Sequence, residues 1–553
     1  MNQCSGLLLR LAVCAATLLA GAAATAETPR IFAITNVRIV TAPGQTFDDA
    51  TVVLRDGLIE AVGADVEPPA DARIFEGESG WTVYPSFIDA ASTIGLDADT
   101  ANDSSRPPRR AAGGNTRPGA PHELEAVHPE YAVVNRIDFA QASVERHREL
   151  GFAVAHVLPD KGVFRGESAV VLTRDAPAQK LVLSAASSQV VALETSSFMA
   201  RKYPSSSIGA VATVRQTLLD AERHRIWTER YATDPRGMPR PEFRASDAAL
   251  LAVLRGERPV VFVSRAALDP GRFREFASEF ELRALTVATG LAHRPDDLRA
   301  AEMPVLLPMV MPDKPDLGDA DEIRDTTLQE LQSYVGAPRL PGLLAAADID
   351  FAFVTLGMKS VRKFHEHLAA VVDAGLSADV ALAAVTTVPA RLLGLDRVIG
   401  TIEVGKQANL FIVDGDLLTD KPELRHVFVD GYHEEIEPQE TIGDPNAVVD
   451  PRGTWEIVTE VMGRAAESTW TISGTEGNYR GFSEGQGGKQ PFRSVELRGN
   501  AMTVTSDTSR GEFEITVIVS GEALEGDTEM ESPRGSAKME VEGRRVEGPE
   551  EMR

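Results

Sequence analysis

Few side chains in this sequence stand where they could do metal or acid–base chemistry. Asp89 ends a short apolar run (Val83, Phe87, Ile88) in the stretch WTVYPSFIDAASTIGL, residues 81–96, and small residues and then Gly95 follow it. That pattern reads as a buried strand whose C-terminal end opens into a loop. A carboxylate there can serve as one ligand of a divalent cation, or it can hydrogen-bond backbone groups at the strand end. One carboxylate alone does not hold a catalytic zinc. Imidazoles that could join it are scattered. His156 falls within the next strand and His293 just beyond a later one, while His122 and His128 flank a polar loop. His365 and His367 share a helix but, two residues apart, point to different faces. No Gly-x-Ser-x-Gly elbow marks a Ser/His/Asp triad.

The elements that would position these groups follow from hydrophobic period and turn residues. Ala33 to Thr41 and Ala50 to Arg55 are strand-like, Asp56-Gly57 is a hairpin turn, and Leu58 to Val62 returns. Tyr131 to Leu150 reads as a helix and Phe152 to Leu158 as an apolar strand, with further strands at Glu167 to Leu172 and Val190 to Leu193. Ser207 to Arg230 is a long helix. Helix and strand then alternate: Asp247 to Arg255 and Val260 to Val263, Gly271 to Phe280 and Leu282 to Val287, Leu291 to Ala300 and Val305 to Leu307, Asp321 to Tyr334 and Phe351 to Val354, and Val361 to Ala374. Alternation of this kind implies βαβ units and a parallel sheet, and at this length a (β/α)₈ barrel is the economical choice. Ser377 caps a further helix, Gly405 turns the chain, and Ala408 to Val413 and Val427 to Asp430 add strands. From Val449 short alternating segments separated by Gly and polar turns read as an antiparallel all-β domain, a small barrel opening on Gly453-Thr454-Trp455.

Composition sets the outer bounds. The chain has 553 residues, 43% of them hydrophobic and 25% charged, and a formal net charge of −26. Such acidity repels phosphate backbones and speaks against nucleic-acid binding. Residues 1–26 have the layout of a secretory signal: Arg10, an apolar core from Leu11 to Ala23, and Ala24-Thr25-Ala26 as cleavage site. The expectation is an exported protein, periplasmic or extracellular, with no membrane span. Cys4 and Cys14, the only cysteines, lie in that signal, so no disulfide or thiolate ligand is expected afterwards. Residues 97–125 are polar, Gly/Pro-rich and locally basic, and read as a mobile loop that could act as a lid.

Two passages carry a family resemblance. TVYPSFIDA (82–90) and ALAAVTTVPARLLGLDRVIGTIEVGKQANLFIVDGDLL (381–418) resemble the first barrel strand and the closing segment of the amidohydrolase superfamily. The likeness runs from about Ile31 to Glu437 and points to its imidazolonepropionase- and prolidase-like exported members. It implies an α/β fold: a (β/α)₈ TIM barrel over 81–397, a flanking composite β-sandwich built from 27–80 and 398–440, and the C-terminal β domain over 449–553. It also implies one or two divalent metals at the strand C-termini, activating water. The residues that would hold them have changed. The first-strand His-x-His pair falls on Ala91 and Thr93, the fifth-strand histidine on Val263, the sixth on Thr289, and the last-strand aspartate on Leu356. Alanine, valine and leucine carry no donor atom, and neutral hydroxyls are weak ligands for zinc.

The resemblance therefore implies the family's scaffold with a degenerate metal site. No cofactor is expected, zinc or another divalent metal only if other residues rebuild the site. The pocket should be lined by Asp89, Ser92, Thr93, Ser264, Arg265, Thr289, His293, Thr355 and Lys359. Arg265 and Lys359 either receive an anionic ligand such as a peptide carboxylate or simply face solvent. The leading expectation is a non-catalytic binding or partner protein, taking a small molecule or peptide, an active relative, or a second copy of itself. The alternative is a hydrolase of C–N bonds in cyclic amides or peptides through an atypical site. A third makes the C-terminal domain a binding module that exposes Trp455, Trp470, Tyr479 or Phe482.

Overall fold

The structure, a computed structural model, describes residues 30–78, 80–96, 122–196, 202–291, 294–312, 315, 324, 326–358, 360–419, 422–436, 443–444, 447–461, 464–475, 478–485, 488–508, 511–532 and 535–548. The signal, both cysteines, most of the 97–125 loop, His293 and Lys359 lie outside the described residues. The chain divides into two compact units after Ile436.

The first unit opens with β1 (Ile31–Ala42), β2 (Gln45–Arg55), β3 (Leu58–Gly63), β4 (Arg73–Glu76) and β5 (Trp81–Pro85). Asp56 and Gly57 both take left-handed backbone angles, φ 48° and 89°, which is what a two-residue hairpin between β2 and β3 requires. β1 pairs antiparallel with β2 and parallel with β4 and β5.

The α/β part follows: β6 (Phe87–Ser92), β7 (Phe152–Val157), β8 (Phe164–Glu167), β9 (Ala169–Leu172), β10 (Val182–Ser184), β11 (Gln189–Ala192), β12 (Val260–Ser264), β13 (Ala284–Ala288), β14 (Val305–Pro308) and β15 (Phe351–Val354). Their pairings give a four-stranded sheet, β10-β9-β7-β6, and a six-stranded sheet, β15-β14-β13-β12-β11-β8. From β11 to β15 every pairing is parallel, as βαβ units demand. The strand expected at Glu167 to Leu172 is β9, over Ala169–Leu172, and an unforeseen strand, β8, precedes it over Phe164–Glu167. β9 runs antiparallel to β7 and β8 antiparallel to β11. The reason is linker length: residues 158–163 are too few to hold a helical crossover, so the chain must turn back. The strand pairings thus present two mixed-direction sheets, not the uniformly parallel one that alternation suggested.

Helices cover the outer face of the six-stranded sheet. Phe262 and Val191 pack against Val214 and Leu218 of the helix Ser207–Thr233 and against Phe273 and Phe276 of the helix Asp269–Glu279. The opposite face is a separate apolar layer built by Val190, Ala192, Val261, Val263, Leu285, Val287, Leu306, Ala352 and Val354, joined by Ala90 and Ala91 of β6.

Some helix boundaries differ from expectation. The Tyr131 to Leu150 helix is confined to Ala142–Glu149, because Ala132 bridges to Glu167 and Asp138 turns the chain, its Oδ1 accepting the Ala140 N–H. A helix at Leu340–Ala346 was not foreseen. Ser377 caps Ala378–Val385 as expected, its hydroxyl accepting the Val380 N–H at 3.3 Å.

Then β16 (Leu410–Asp414), β17 (Glu423–Val429) and β18 (Tyr432–Glu435) return to the first sheet, β16 pairing antiparallel with β5. The sheet runs β18-β17-β16-β5-β1-β2-β3, with β4 on β1.

The second unit is all β: β19 (Gly453–Val461), β20 (Arg464–Thr475), β21 (Asn478–Gly485), β22 (Gly488–Pro491), β23 (Ser494–Arg498), β24 (Ala501–Thr508), β25 (Gly511–Ser520), β26 (Ala523–Ser532) and β27 (Gly535–Glu547). β27 pairs with β19, and β20 pairs with both β19 and β21, so the strand ring closes with β22 appended to β21. Trp455 and Trp470 are buried inside it with Ile457, Ile472, Val504 and Val517, so neither tryptophan is available at the surface. Tyr479 and Phe482 are half-buried. Among the described residues no helix is long and apolar enough to cross a membrane.

Candidate functional site at the C-terminal strand ends

Asp89 is completely buried midway along β6, which runs on to Ser92 and packs against β15. Its Oδ1 accepts the backbone N–H groups of Ala91 and Thr355, both at 3.2 Å, and its Oδ2 accepts the Thr355 hydroxyl at 2.5 Å. Ser92 completes the cluster, its Oγ 3.5 Å from Thr355 Oγ1 and accepting the Ile94 N–H. Sequence reasoning missed His147. Its Nδ1 donates to the Ser143 carbonyl at 2.8 Å, while Nε2 lies 3.2 Å from Thr355 Oγ1 and 3.4 Å from Asp89 Oδ2. Nothing local signals this histidine, which reaches the site from the helix Ala142–Glu149. Three of the foreseen pocket residues, Asp89, Ser92 and Thr355, are therefore brought together, but as a buried clasp between two strands.

The positions at which the resemblance would place metal ligands sit in different surroundings. Ala91 and Val263 are buried in the apolar inner layer, and Leu356 packs against it. Leu356 N–H donates to the Ala91 carbonyl at 3.0 Å, which ties these two positions side by side. Thr93 is exposed and Thr289 half-buried. Three hydrocarbon side chains in one cluster and two neutral hydroxyls do not fit a divalent cation. Among the described residues no group of three or more His, Asp or Glu side chains is placed to hold a metal.

Just beyond the apolar layer the side chains become charged. Arg165 is the extra residue of a β-bulge, since Val190 pairs with Gly166 and Val191 with Phe164. Its guanidinium is nearly buried, with Nη2 3.1 Å from Glu194 Oε2 and Nε donating to the Gly162 carbonyl. Arg265 follows the end of β12 and is exposed, and its backbone N–H donates to Asp269 Oδ2 at 3.0 Å. Burial pushes the Arg165 pKa down, the neighbouring Arg265 pushes it further down, and Glu194 and Asp160 oppose both. Ser264, the residue before Arg265, is buried and shares a hydrogen bond with Thr286 at 3.1 Å.

The remaining histidines are spent elsewhere. His156 is fully buried, donating from Nδ1 to the Ala90 carbonyl at 2.8 Å and accepting at Nε2 from Ser168 at 2.7 Å. Burial pushes its imidazole down to about 4. His365 meets the Leu150 carbonyl at 3.1 Å and is likewise pushed down to about 4 by burial. His367 meets the Met309 carbonyl, and His122 accepts the Leu124 N–H. His128 lies 3.8 Å from Glu130, which raises its pKa. None of these side chains joins Asp89. A surface hollow of about 750 Å³ lies at the other end of the strands, before β14 and β15, between residues such as Asp296, Arg299, Glu302 and Asp348.

Comparison with known proteins agrees with this architecture. The profile described as "Amidohydrolase family" matches residues 292–437. Among solved structures, an amidohydrolase from Thermotoga maritima MSB8 is similar with 19% identity and a TM-score of 0.59, over 74% of this chain and all of that one. A putative prolidase from Bifidobacterium longum is matched with 15% identity and a TM-score of 0.39, over 74% of this chain and 96% of that one. Molinate hydrolase is matched with 14% identity and a TM-score of 0.40, over 74% and 95%. No curated protein matches the chain. The profile match takes in β14, β15 and the strands that return to the first sheet, and the Thermotoga likeness shows the same fold.

Proposed function

We infer that this protein binds a ligand at the C-terminal ends of β6 to β15 without the metal-assisted hydrolysis of its superfamily. In this reading the four- and six-stranded sheets are the two halves of a (β/α)₈-type barrel with one strand reversed. The Leu356-to-Ala91 hydrogen bond joins one seam, and Ser168, between β8 and β9, bridges the other. The single observation that carries the functional reading is the packing of Ala91, Val263 and Leu356 in one apolar cluster. A water bound there would have no cation to lower its pKa. The partner is a small molecule, a peptide, an active relative or a second copy, met after export directed by residues 1–26, whose charged, apolar and small-residue regions suit a secretory signal.

Elemental analysis of the purified full chain, before and after mild chelation, tests this. The expected result is no stoichiometric zinc, manganese or iron, and no uptake on reconstitution. Stoichiometric metal that survives purification overturns it. A second reading, hydrolysis of C–N bonds through an atypical site, draws on the likeness to a protein named an amidohydrolase and on the Asp89, Thr355 and His147 cluster. It requires turnover of a dipeptide or cyclic amide that Thr355→Val abolishes while the fold is retained.

A further inference from the structure

We propose that Arg165 and Arg265 form a guanidinium site for a small carboxylate at the strand ends where the superfamily places its metal cations. The proposal deepens the binding reading above and rests on it for the location of the site, not for its chemistry.

The first argument is placement. Arg265 lies two residues beyond Val263 on β12, and Glu194 two residues beyond Ala192 on β11. Val263 and Ala192 both belong to the inner apolar layer and pair across the two strands. Strand alternation therefore carries both charged side chains toward the same side, one step further along. Arg165 comes from the reversed strand β8, on the far side of β11 from β12, on the bulge opposite Val190 and Val191. Bulges re-aim side chains and terminate pairing near functional sites. Here Gly166 holds the bulge: its φ is +117°, and an added Cβ would collide with the Tyr131 carbonyl.

The second argument is charge. Two guanidiniums on strands either side of β11 repel one another, and one of them is withdrawn from water. Glu194 neutralises Arg165, while Asp160 acts on it more weakly. Asp269, the carboxylate nearest Arg265 in the chain, is already committed to the backbone N–H groups of Arg265 and Ala266 and to Arg272. No carboxylate among the described residues pairs with the Arg265 guanidinium. An incoming carboxylate supplies the missing charge, and the planar fork of an arginine accepts it in a bidentate manner. The half-buried Thr289 hydroxyl is a further hydrogen-bonding group at the end of the adjacent strand.

The sequence alone named Arg265 and could not name Arg165, whose position depends on the strand reversal and bulge. The neighbouring apolar layer also gives the site its ligand class: a short carboxylate with a hydrocarbon body, its charged end on the guanidiniums and its body toward Leu356.

Isothermal titration of the full-length protein with valerate at low ionic strength, in the presence of EDTA, tests the proposal. The expected result is saturable binding, unaffected by the chelator and weakened by salt because Arg265 is exposed. Arg265→Gln should weaken it at least tenfold while circular dichroism stays unchanged. Arg299→Gln, which alters a guanidinium in the hollow before β14, should leave it as in the parent protein. Absence of saturable binding, or equal binding by Arg265→Gln, overturns the proposal. Binding that disappears with EDTA overturns it too, and with it the metal-free reading. Metal found by elemental analysis together with chelator-insensitive, Arg265-dependent binding would sink only that earlier reading.

Discussion

A carboxylate withdrawn from water has to be met by donors, and Asp89 is met on both oxygens. Its acceptor capacity goes to the backbone of its own strand and to Thr355 across the seam, so it acts as a clasp. Removing one partner of such a cluster leaves buried donors unpaired, which costs roughly 1–3 kcal/mol for each. His156 is the comparable case among the imidazoles. Its hydrogen bonds to the Ala90 carbonyl and the Ser168 hydroxyl require the neutral ring with the proton on Nδ1. An unfolded histidine titrates near 6.5 and this one near 4. Between those values the unfolded chain binds the additional proton, so stability falls as pH drops from 6.5 toward 4 and changes no further below that. One such group contributes a slope of about 1.4 kcal/mol per pH unit within that window. His156→Gln keeps a donor for Ala90 and an acceptor for Ser168 but cannot take up the proton. Urea unfolding at several pH values should therefore show a shallower loss of stability below pH 6.5 in the variant, by close to one proton. Equal slopes would mean that His156 is not held neutral in the fold. His365, buried to the same degree, supplies a second proton to both proteins and leaves the comparison intact.

At the scale of the element, sequence patterns were reliable where a local rule decides the outcome. Asp56-Gly57 gave its hairpin because few residue pairs tolerate two left-handed positions, and Ser377 gave its helix start because a hydroxyl can accept the free N–H groups there. The core strands from β11 to β15 were legible from apolar runs spaced by helices. What the sequence left unread was set by long-range geometry. The strand reversal at β8 and β9 follows from a short linker that carries no turn signature of its own. The cluster of Asp89, Thr355 and His147 joins residues that are 208 and 266 positions apart in the chain. Arg165 could be found only once the bulge was seen. The bulge itself yields a prediction. Gly166→Ala adds a Cβ where φ is +117° and where the Tyr131 carbonyl already sits. Both effects oppose the substitution, and together they should cost more than about 2 kcal/mol of stability in urea unfolding. In whatever fraction folds, the re-aimed Arg165 should weaken valerate binding. A Gly166→Ala protein with parental stability would show that the bulge is not locked by this glycine.

For the molecule as a whole, the division after Ile436 matters more than the charge of −26, which bears on solubility and not on fold. The second unit has the features of a self-sufficient domain. Its strands close into a ring, which leaves no long unpaired edge in need of cover. Its interior is its own: Trp455 at 0% exposure and Trp470 at 4% are packed by Ile457, Ile472, Met502, Val517 and Leu524. Arg545 lies over the Trp455 ring at 4.4 Å and donates to the Asp450 carbonyl at 2.6 Å, so that β27, the last strand, is fastened to the segment preceding β19. Chain ends joined in this way keep the ring shut without help from elsewhere. The fragment from Glu437 to Arg553, expressed alone, should therefore show a β-type circular dichroism spectrum and unfold in urea as one cooperative transition. Arg545→Ala should lower its midpoint through the loss of both the ring contact and the carbonyl bonds, by roughly 1–2 kcal/mol. A fragment that stays unfolded or aggregates would show that this ring, though closed and internally packed, depends on the preceding chain for its stability, and that the two units fold as one.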